Sequence, residues 1–227
     1  MIAERFSDRC LAVSCVGPWL VARFDSPHAV VSWAVVGGGL GEALWVVWRH
    51  VEEHELRPPT HAARWLRARM RENGLHGAVG LLTSRRLDSW VQAHHVAGVV
   101  AANCVATVGL GNALRAGDPP GPYARIGTIN VLCRVDVALA PAALLEALAI
   151  ATEAKAAAIL ESGVASRRSG QPATGTGTDC VVIACPRARA RAPYAGKHTD
   201  VGAAIGGAVL DAVRAGAHAW KAERGLR

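Results

Sequence analysis

The chain has 227 residues, of which 51% are hydrophobic and 19% are charged, so it can bury a substantial core and is not extensively disordered. Its 25 Lys and Arg residues against 18 Asp and Glu give a formal net charge of +7, which we interpret as a solvated basic surface. A nucleic-acid-binding protein is the weaker interpretation, because no zinc-finger, RNA-binding or aromatic–basic signature accompanies the charge.

The cysteines predict neither a disulfide framework nor a zinc site. The six of them form no CxxC motif, and the pairs Cys10/Cys15 and Cys180/Cys185 suit no common zinc pattern. The N-terminus has no apolar segment of signal-peptide length. We therefore expect a cytoplasmic protein with reduced thiols.

The first third of the chain predicts four strands, at residues 10–16, 19–24, 29–36 and 43–51. Gly-Pro separates the first two, which are typical of a hairpin. A glycine cluster at residues 37–41 separates the last two, and we interpret it as a loop because its spacing does not fit a dinucleotide-binding fingerprint.

The next region predicts one helix and two strands. Thr60 is a candidate N-cap for a helix that runs to about Asn73 and is terminated by Gly74. A strand follows at residues 77–82. The apolar run at residues 96–110 is predicted as one buried strand and not as a membrane span, because Asn, Thr and Gly interrupt it.

The second half predicts a strand at residues 127–137, a helix at 141–161, a strand at 180–185 and a final helix capped by Thr199. Strands in groups, without strict alternation with helices, favour an α+β fold. We therefore predict a single domain over residues 1–227, with a largely antiparallel or mixed sheet and two long helices in the C-terminal half.

Two loops rich in glycine and threonine flank the predicted strand at residues 180–185, and each carries groups able to do acid–base chemistry. Because this strand separates them, they can meet at one substrate only if the basic segment after Pro186 folds back. The candidate site residues are Thr174, Gly175, Thr176, Gly177, Thr178 and Asp179 in the first loop, and Gly196, Lys197, His198 and Thr199 in the second.

Two further elements add polar candidates. Thr128 and Asn130 lie on the same face of their predicted strand and are expected to point into a polar pocket. Glu153 and Lys155 are two residues apart in the long helix, so at least one of them is expected off the solvent side.

Five segments, in this order, resemble the adenosylcobinamide amidohydrolase family, and their order argues against chance. The similarity extends from about residue 77 to the C-terminus. The segments are GNALRAGDP (111–119), GTINVLCRVD (127–136), ATEAKAAAILESG (151–163), ATGTGTDCVVIACP (173–186) and YAGKHTDVGAAIGG (194–207).

The resemblance implies a cytoplasmic enzyme of corrinoid salvage. It implies hydrolysis of the amide between the aminopropanol arm and the corrin ring of adenosylcobinamide, which yields adenosylcobyric acid and aminopropanol. Cobalt would arrive inside the substrate, so we expect no cofactor and no metal held by the protein. The partner implied is the small corrinoid substrate, and we expect no nucleic-acid or membrane partner. The arginine-rich segment at residues 187–191 and the tryptophan-rich first third depart from the family and leave the range of accepted corrinoids open.

Amide hydrolysis needs a base, donors for an oxyanion and an acid for the leaving amine. The candidate catalytic residues are His198, Asp179, Glu153 and Lys155. His198 would act as base and then as acid, paired with one of these carboxylates or with Asp200. Lys197 or Lys155 would hold developing negative charge, and backbone amides of the glycine loops would bind the oxyanion.

The candidate substrate-binding residues are Asn112, Thr128, Asn130, Thr174, Gly175, Thr176, Gly177, Thr178, Gly196, Lys197 and Thr199. Thr176 or Thr178 would be a nucleophile or a positioning group, and positioning is favoured because no activating base adjoins either residue. A platform for the flat corrin would come from the tryptophans, most of which are expected in the core: Trp33, Trp45, Trp48 and Trp90.

Two alternatives and the assembly state stay open. A corrinoid-binding or carrier protein would keep the pocket without catalysis, and a nucleic-acid-associated basic protein is a third possibility. The small-residue helix face at Gly202, Gly206 and Gly207 suits a homodimer or a well-packed monomer equally.

Overall fold

The computed structural model describes residues 3–8, 10–56, 60–121 and 126–226. A curled sheet of nine strands forms its centre, beside a small two-stranded sheet and three α-helices. The strands are β1 Ala3–Asp8, β2 Leu11–Val16, β3 Trp19–Ser32, β4 Gly39–His50, β5 Val79–Thr83, β6 Val91–Ala97, β7 Val100–Val108, β8 Ala113–Leu114, β9 Ile129–Val135, β10 Gly175–Thr176 and β11 Cys180–Cys185. The helices are α1 Ala62–Glu72, α2 Pro141–Glu161 and α3 Asp200–Ala222.

The large sheet is mixed and mostly antiparallel, so the predicted α+β class is confirmed. Its order is β1-β2-β3-β11-β9-β7-β6, and β4 pairs with β3 and β5. The β11–β9 and β4–β5 pairs are parallel, and the other pairs in this sheet are antiparallel. The parallel β9–β11 pair requires a crossover connection, and α2 lies within it.

Strand β3 corrects one prediction. The sequence predicted two separate strands here, whereas one strand of 14 residues spans the region. Its pairing with β4 shifts register between Arg23 and His28, so the chain bends at a bulge without leaving the sheet. Strand β2 borders the first part of β3 and β11 borders the second part, which lets the sheet curl.

A second correction concerns the apolar run predicted as one strand at residues 96–110. The structure divides it into the β6–β7 hairpin, in which Ala97 pairs with Val100. Gly98 sits at the turn with a φ of 54°, a left-handed conformation that suits glycine. The glycine was present in the sequence, but the apolar residues on both sides concealed the reversal.

Three apolar clusters define the layers. Helices α2 and α3 cover one face of the sheet, where Val131, Ile183 and Ile205 are fully buried. On the other face, side chains of the strands pack against one another in a second cluster, which includes Phe24 and Trp48. Helix α1 then covers the outer side of β4 and β5.

The helix ends follow the predicted signals, with one exception. Pro141 begins α2, and the Thr199 hydroxyl caps α3 by accepting a 3.0 Å hydrogen bond from Gly202 N. Gly74 follows α1 with a φ of 70°. The N-cap of α1 is His61 and not the predicted Thr60, and it makes no side-chain cap bond.

Within the described residues, the helices are too short or too polar to cross a bilayer. The small residues of α3 pack inside the molecule. A Cβ on Gly202 would clash with backbone carbonyls of residues 195 and 196, and one on Gly207 would clash with the ring of His95. Close packing within the chain thus explains why residues 202 and 207 are glycines, and a dimer interface is not needed to account for either.

Candidate active site

The first predicted loop forms a turn at residues 176–179, called the Asp179 turn below. The Asp179 carboxylate is an ion-pair partner of Lys155 from α2, and their side chains are only 7% and 8% exposed. The carboxylate also accepts hydrogen bonds from the Thr176 hydroxyl and from the backbone N–H groups of Thr176 and Ile129, the latter two at 3.0 Å. One buried side chain thus joins the turn to α2 and to the start of β9.

Glycine at position 175 makes this arrangement possible. A Cβ on Gly175 would occupy the space of the Asp179 carboxylate and the Lys155 ammonium group. Its short strand, β10, pairs with β8, and Thr174 accepts a 2.9 Å hydrogen bond from Ala116 N at that edge. The Gly-Thr pattern therefore allows a charged pair to lie directly against the backbone.

The predicted threonines fasten the turn to the neighbouring loop. Thr128 donates to the Thr178 carbonyl at 2.8 Å, and Thr178 donates to the Gly127 carbonyl at 3.1 Å. Thr176 donates to Asp179, as described above. The three hydroxyl groups therefore all donate to protein acceptors and connect the turn to the neighbouring loop.

Two buried amides lie beside these loops, each with one unpaired polar atom. Asn112 Nδ2 has no hydrogen-bond partner among the described residues, and a Cβ on Gly177 would lie 3.0 Å from it. Asn130 Nδ2 donates to the Leu82 carbonyl at 2.7 Å, whereas its Oδ1 has no partner in the same part of the chain. Both amides belong to the predicted site, but neither of these unpaired atoms is exposed.

A cavity of about 210 Å³ opens beside the Asp179 turn. Thr178 and Thr128 form one wall, but Asn130, which was predicted to share a pocket with Thr128, is not among the residues that line this cavity. The rest of the lining is mainly apolar, unlike the polar pocket that the sequence suggested. The other lining residues are Val35, Val51, Leu56, Ala62, Leu82, Thr83, Ser84, Ile126, Gly127 and Cys180.

Cys180, in the wall of this cavity, stays protonated at neutral pH. Burial, followed by the neighbouring charge of Asp179, raises the pKa of its thiol to about 11. The thiol lies 3.8 Å from the Trp33 carbonyl. A protonated thiol is a weak nucleophile, so this cysteine acts as a small apolar side chain here.

Trp33 stands apart from the other six tryptophans. It is 43% exposed, whereas Trp19, Trp48 and Trp220 are at most 5% exposed. Its indole N–H donates to the Asp179 carbonyl at 2.6 Å. The sequence offered Trp33 together with three other tryptophans as a platform, and the structure distinguishes it from the fully buried Trp48.

The second predicted loop forms a separate cluster at the start of α3. Lys197 forms an ion pair with Glu153, and both side chains are exposed, at 70% and 58%. His198 is exposed and has no hydrogen bond or ion pair within the described part of the chain. This cluster borders a groove of about 310 Å³ between α2 and α3.

Helix α2 separates the two clusters. Lys155 and Glu153 are two residues apart, so their side chains leave the helix about 200° apart. With side chains the helix is about 10–12 Å wide. The segment after β11 does fold back along α2, where the backbone N–H of Ala195 donates a 2.6 Å hydrogen bond to Glu146. However, it lies on the side of α2 opposite to Asp179. One carbonyl cannot contact both clusters, which corrects the expectation that the loops converge.

The same geometry corrects two pairings. Glu153 pairs with Lys197 at the surface and does not approach another backbone, and Asp179 pairs with Lys155 and not with His198. The expectation that one of Glu153 and Lys155 lies off the solvent side is confirmed. Glu146, which holds the second loop, and Val35 in the cavity wall were not predicted, because no local pattern distinguishes them.

No three His, Cys, Asp or Glu side chains converge as a ligand set for a metal within the described residues. All six cysteines are free thiols. The candidate site therefore consists of backbone amides, hydroxyl groups, one buried ion pair and an apolar cavity.

The chain matches the family model described as adenosylcobinamide amidohydrolase over residues 7–225. Two curated relatives carry the same name. The protein of Halobacterium salinarum is 43% identical over 97 residues, which is 43% of this chain and 38% of the relative. That of Methanosarcina mazei is 31% identical over 175 residues, which is 70% of this chain and 76% of the relative.

Among solved structures, the PH0078 protein of Pyrococcus horikoshii is similar at 12% identity with a TM-score of 0.48. The similarity covers 88% of this chain and 77% of that one. A likeness at this level says nothing about activity.

Proposed function

Because this chain belongs to the adenosylcobinamide amidohydrolase family, we propose that it hydrolyses adenosylcobinamide to adenosylcobyric acid and aminopropanol in corrinoid salvage. The family itself is one of hydrolases that cleave amide C–N bonds. The match over residues 7–225 includes the Asp179 turn, the cavity and the second loop. A cytoplasmic location is part of the same proposal.

We place the reaction at the Asp179 turn, and the observation that carries this choice is its rigid attachment beside a cavity. The Asp179 carboxylate accepts four donors, from Lys155, Thr176 and Ile129. A backbone held in this way is preorganised, which is what stabilisation of a transient charge requires. In the loop at the start of α3, Glu146 and Thr199 hold the backbone on either side of His198, but the His198 side chain has no hydrogen bond or ion pair among the described residues.

The backbone N–H of Gly177 is the proposed oxyanion donor. Gly177 lies at the exposed tip of the turn, and its N–H has no acceptor among the described residues. One preorganised donor of this kind contributes about 3–4 kcal/mol to transition-state stabilisation. The Lys155–Asp179 pair is neutral as a unit, so its role is to hold the turn and not to supply net charge.

Water is the proposed nucleophile, since the Thr128, Thr176 and Thr178 hydroxyl protons are already donated to protein acceptors. Its oxygen forms the new bond to the amide carbon, the C–N bond breaks, and the departing amine takes up one of the two protons of that water, while the other stays on the new carboxylic acid. The products are then a carboxylic acid on the corrin and free aminopropanol, so atoms and charge balance.

The cavity of about 210 Å³ suits the small leaving arm. Aminopropanol has only five non-hydrogen atoms, and a mainly apolar wall fits its methyl group, while Thr178 in the same wall offers polar contacts. The corrin ring exceeds this volume and would stay outside. This arrangement brings the scissile amide to the Asp179 turn.

Incubation of the purified protein with adenosylcobinamide tests the proposal, with both products measured by mass spectrometry. Equimolar aminopropanol and adenosylcobyric acid are expected, and activity should survive exhaustive chelation because cobalt belongs to the substrate. Tight corrinoid binding without product would establish the carrier alternative. Activity restored by added zinc after chelation would reverse the expectation about the metal.

A further inference from the structure

We propose that Trp33 is the stacking platform that binds the planar face of the corrin substrate beside the Asp179 turn. This inference rests on the proposed function and extends it by naming a specificity-determining residue. Of the seven tryptophans, Trp33 is the exposed one, at 43%, and the other six are buried or half-buried. An exposed aromatic ring of this size presents apolar area that a flat ligand can bury by stacking.

Three of the other tryptophan rings are covered by arginine side chains of the protein itself. Arg23 lies over Trp45 at 5.3 Å, and Arg49 lies over Trp65 at 5.3 Å. Trp220 is covered in the same way by Arg224 at 4.2 Å. Trp33 has no cation over its ring among the described residues, so its face is available to a ligand.

The ring of Trp33 is fixed next to the reacting groups. Its indole N–H donates to the carbonyl of Asp179 at 2.6 Å, which ties the ring to the turn that carries Gly177. The adjoining residue Ala34 donates its N–H to Ser32 Oγ at 2.9 Å. Two residues beyond Trp33, Val35 lines the cavity, so the ring and part of the cavity wall belong to one loop.

This loop is clamped from its other end as well. Val36 and Gly80 exchange two backbone hydrogen bonds, at 3.2 and 2.8 Å. Gly38 packs so closely on Ala34 that a Cβ would lie 2.8 Å from the Ala34 carbonyl oxygen. A platform held in this way loses little conformational entropy when it binds a ligand.

The size of the ligand explains why a platform is needed. A macrocycle that exceeds the 210 Å³ cavity contacts the protein with one face, outside the cavity mouth. A flat, partly apolar ring gains most from an exposed aromatic face in that position. Stacking on Trp33 would leave an arm of the macrocycle free to cross Gly177 and enter the cavity.

Binding of adenosylcobyric acid tests the inference apart from catalysis, because this molecule keeps the macrocycle but lacks the scissile amide. We expect Trp33→Ala to raise its Kd by about 5- to 150-fold, the range for loss of one aromatic stacking partner. Trp33→Phe keeps a ring face and should bind much more tightly than Trp33→Ala. The control is Tyr194→Ala, which removes a 68% exposed aromatic ring from the loop that precedes α3 and should leave Kd unchanged.

Turnover of adenosylcobinamide separates this inference from the proposed function. We expect Trp33→Ala to raise KM with a smaller effect on kcat, while circular dichroism and urea unfolding stay close to those of the unaltered protein. Hydrolysis with normal binding and KM in Trp33→Ala would overturn the platform and leave the proposed function standing. Binding that depends on Trp33 without any hydrolysis would overturn the function and keep the platform.

Discussion

Lys155 and Asp179 form an ion pair that joins helix α2 to the turn before β11, and both side chains are less than a tenth exposed. Burial of such a pair has an unfavourable free energy of desolvation. Removal of one partner destabilises the protein further, because it leaves a buried charge without compensation. The carboxylate keeps three other donors if Lys155 is removed, whereas the ammonium group has no second acceptor among the described residues. The two halves of the pair should therefore respond differently to substitution.

We expect Asp179→Asn to lower the free energy of unfolding by about 3–5 kcal/mol, the usual cost of breaking a buried pair. Lys155→Met should cost less, and the double variant should recover part of the loss, because it leaves no unpaired ammonium group. Urea titration measures all three. The matched control is Glu153→Gln, which breaks an exposed pair on the same helix and should cost less than about 1 kcal/mol. Equal losses at positions 153 and 179 would contradict this account.

Gly175→Ala tests the packing of the backbone against this pair. The new methyl group would displace the Asp179 carboxylate or the Lys155 ammonium group, and we expect a loss of about 1–3 kcal/mol with a fall in activity. Gly41→Ala is the control, since nothing lies within 4 Å of a Cβ there. Thermal or urea unfolding compares the two variants. A fully stable and active Gly175→Ala protein would show that the turn is not held as described.

The choice between the two clusters is tested by activity. Thr176→Val removes the hydroxyl bond to Asp179, and we expect kcat/KM to fall by about 100-fold, as for a small misplacement of reacting groups. Thr176→Ser should retain most activity. His198→Ala should also retain most activity, because this exposed ring lies across α2 from the turn. The reverse result, with His198 essential and Thr176 dispensable, would move the reaction to the groove between α2 and α3.

The sequence predicted local features well and long-range juxtapositions poorly. Pro141 and Thr199 signalled the starts of α2 and α3 because a fixed φ and a hydroxyl cap act over a few residues. The Lys155–Asp179 pair was not predicted as a pair, since it depends on how α2 packs against β11. The separation of Asp179 from His198 depends on the same packing. The position of a loop relative to a helix is set by tertiary contacts, which periodicity does not encode.

The cap of α3 offers a direct measure of one local signal. The Thr199 hydroxyl accepts from Gly202 N at 3.0 Å, so Thr199→Ala should lower the free energy of unfolding by about 1 kcal/mol. Thr199→Ser preserves the acceptor and should be close to neutral. Chemical denaturation of both variants at one pH measures the difference. An equal loss in both would indicate that the methyl group, and not the cap, stabilises this helix end.

The pH dependence of stability should contain a contribution from His28, which is 1% exposed. Its Nδ1 lies 2.9 Å from the Ser26 carbonyl, and its Nε2 accepts from Arg134 Nε at 3.1 Å. Burial, and less strongly the charge of Arg134, lowers the pKa of His28 below its ordinary value of 6.5. The neutral ring is therefore the form that fits the native structure.

The sign of the effect follows from proton binding. Because the folded pKa is below the unfolded one, the unfolded chain binds more protons as the pH falls. The stabilisation is complete above about pH 6.5 and is lost as the pH falls through the folded pKa. The total loss in the free energy of unfolding is about 1.4 kcal/mol for each pH unit between the unfolded and the folded pKa. Unfolding titrations at about pH 7.5, 6.5 and 5.5 should therefore show a decline. His28→Gln should flatten the decline, and the control His218→Gln should not, since the side chain of His218 is exposed. Identical slopes in the two variants would assign the acid sensitivity to other groups.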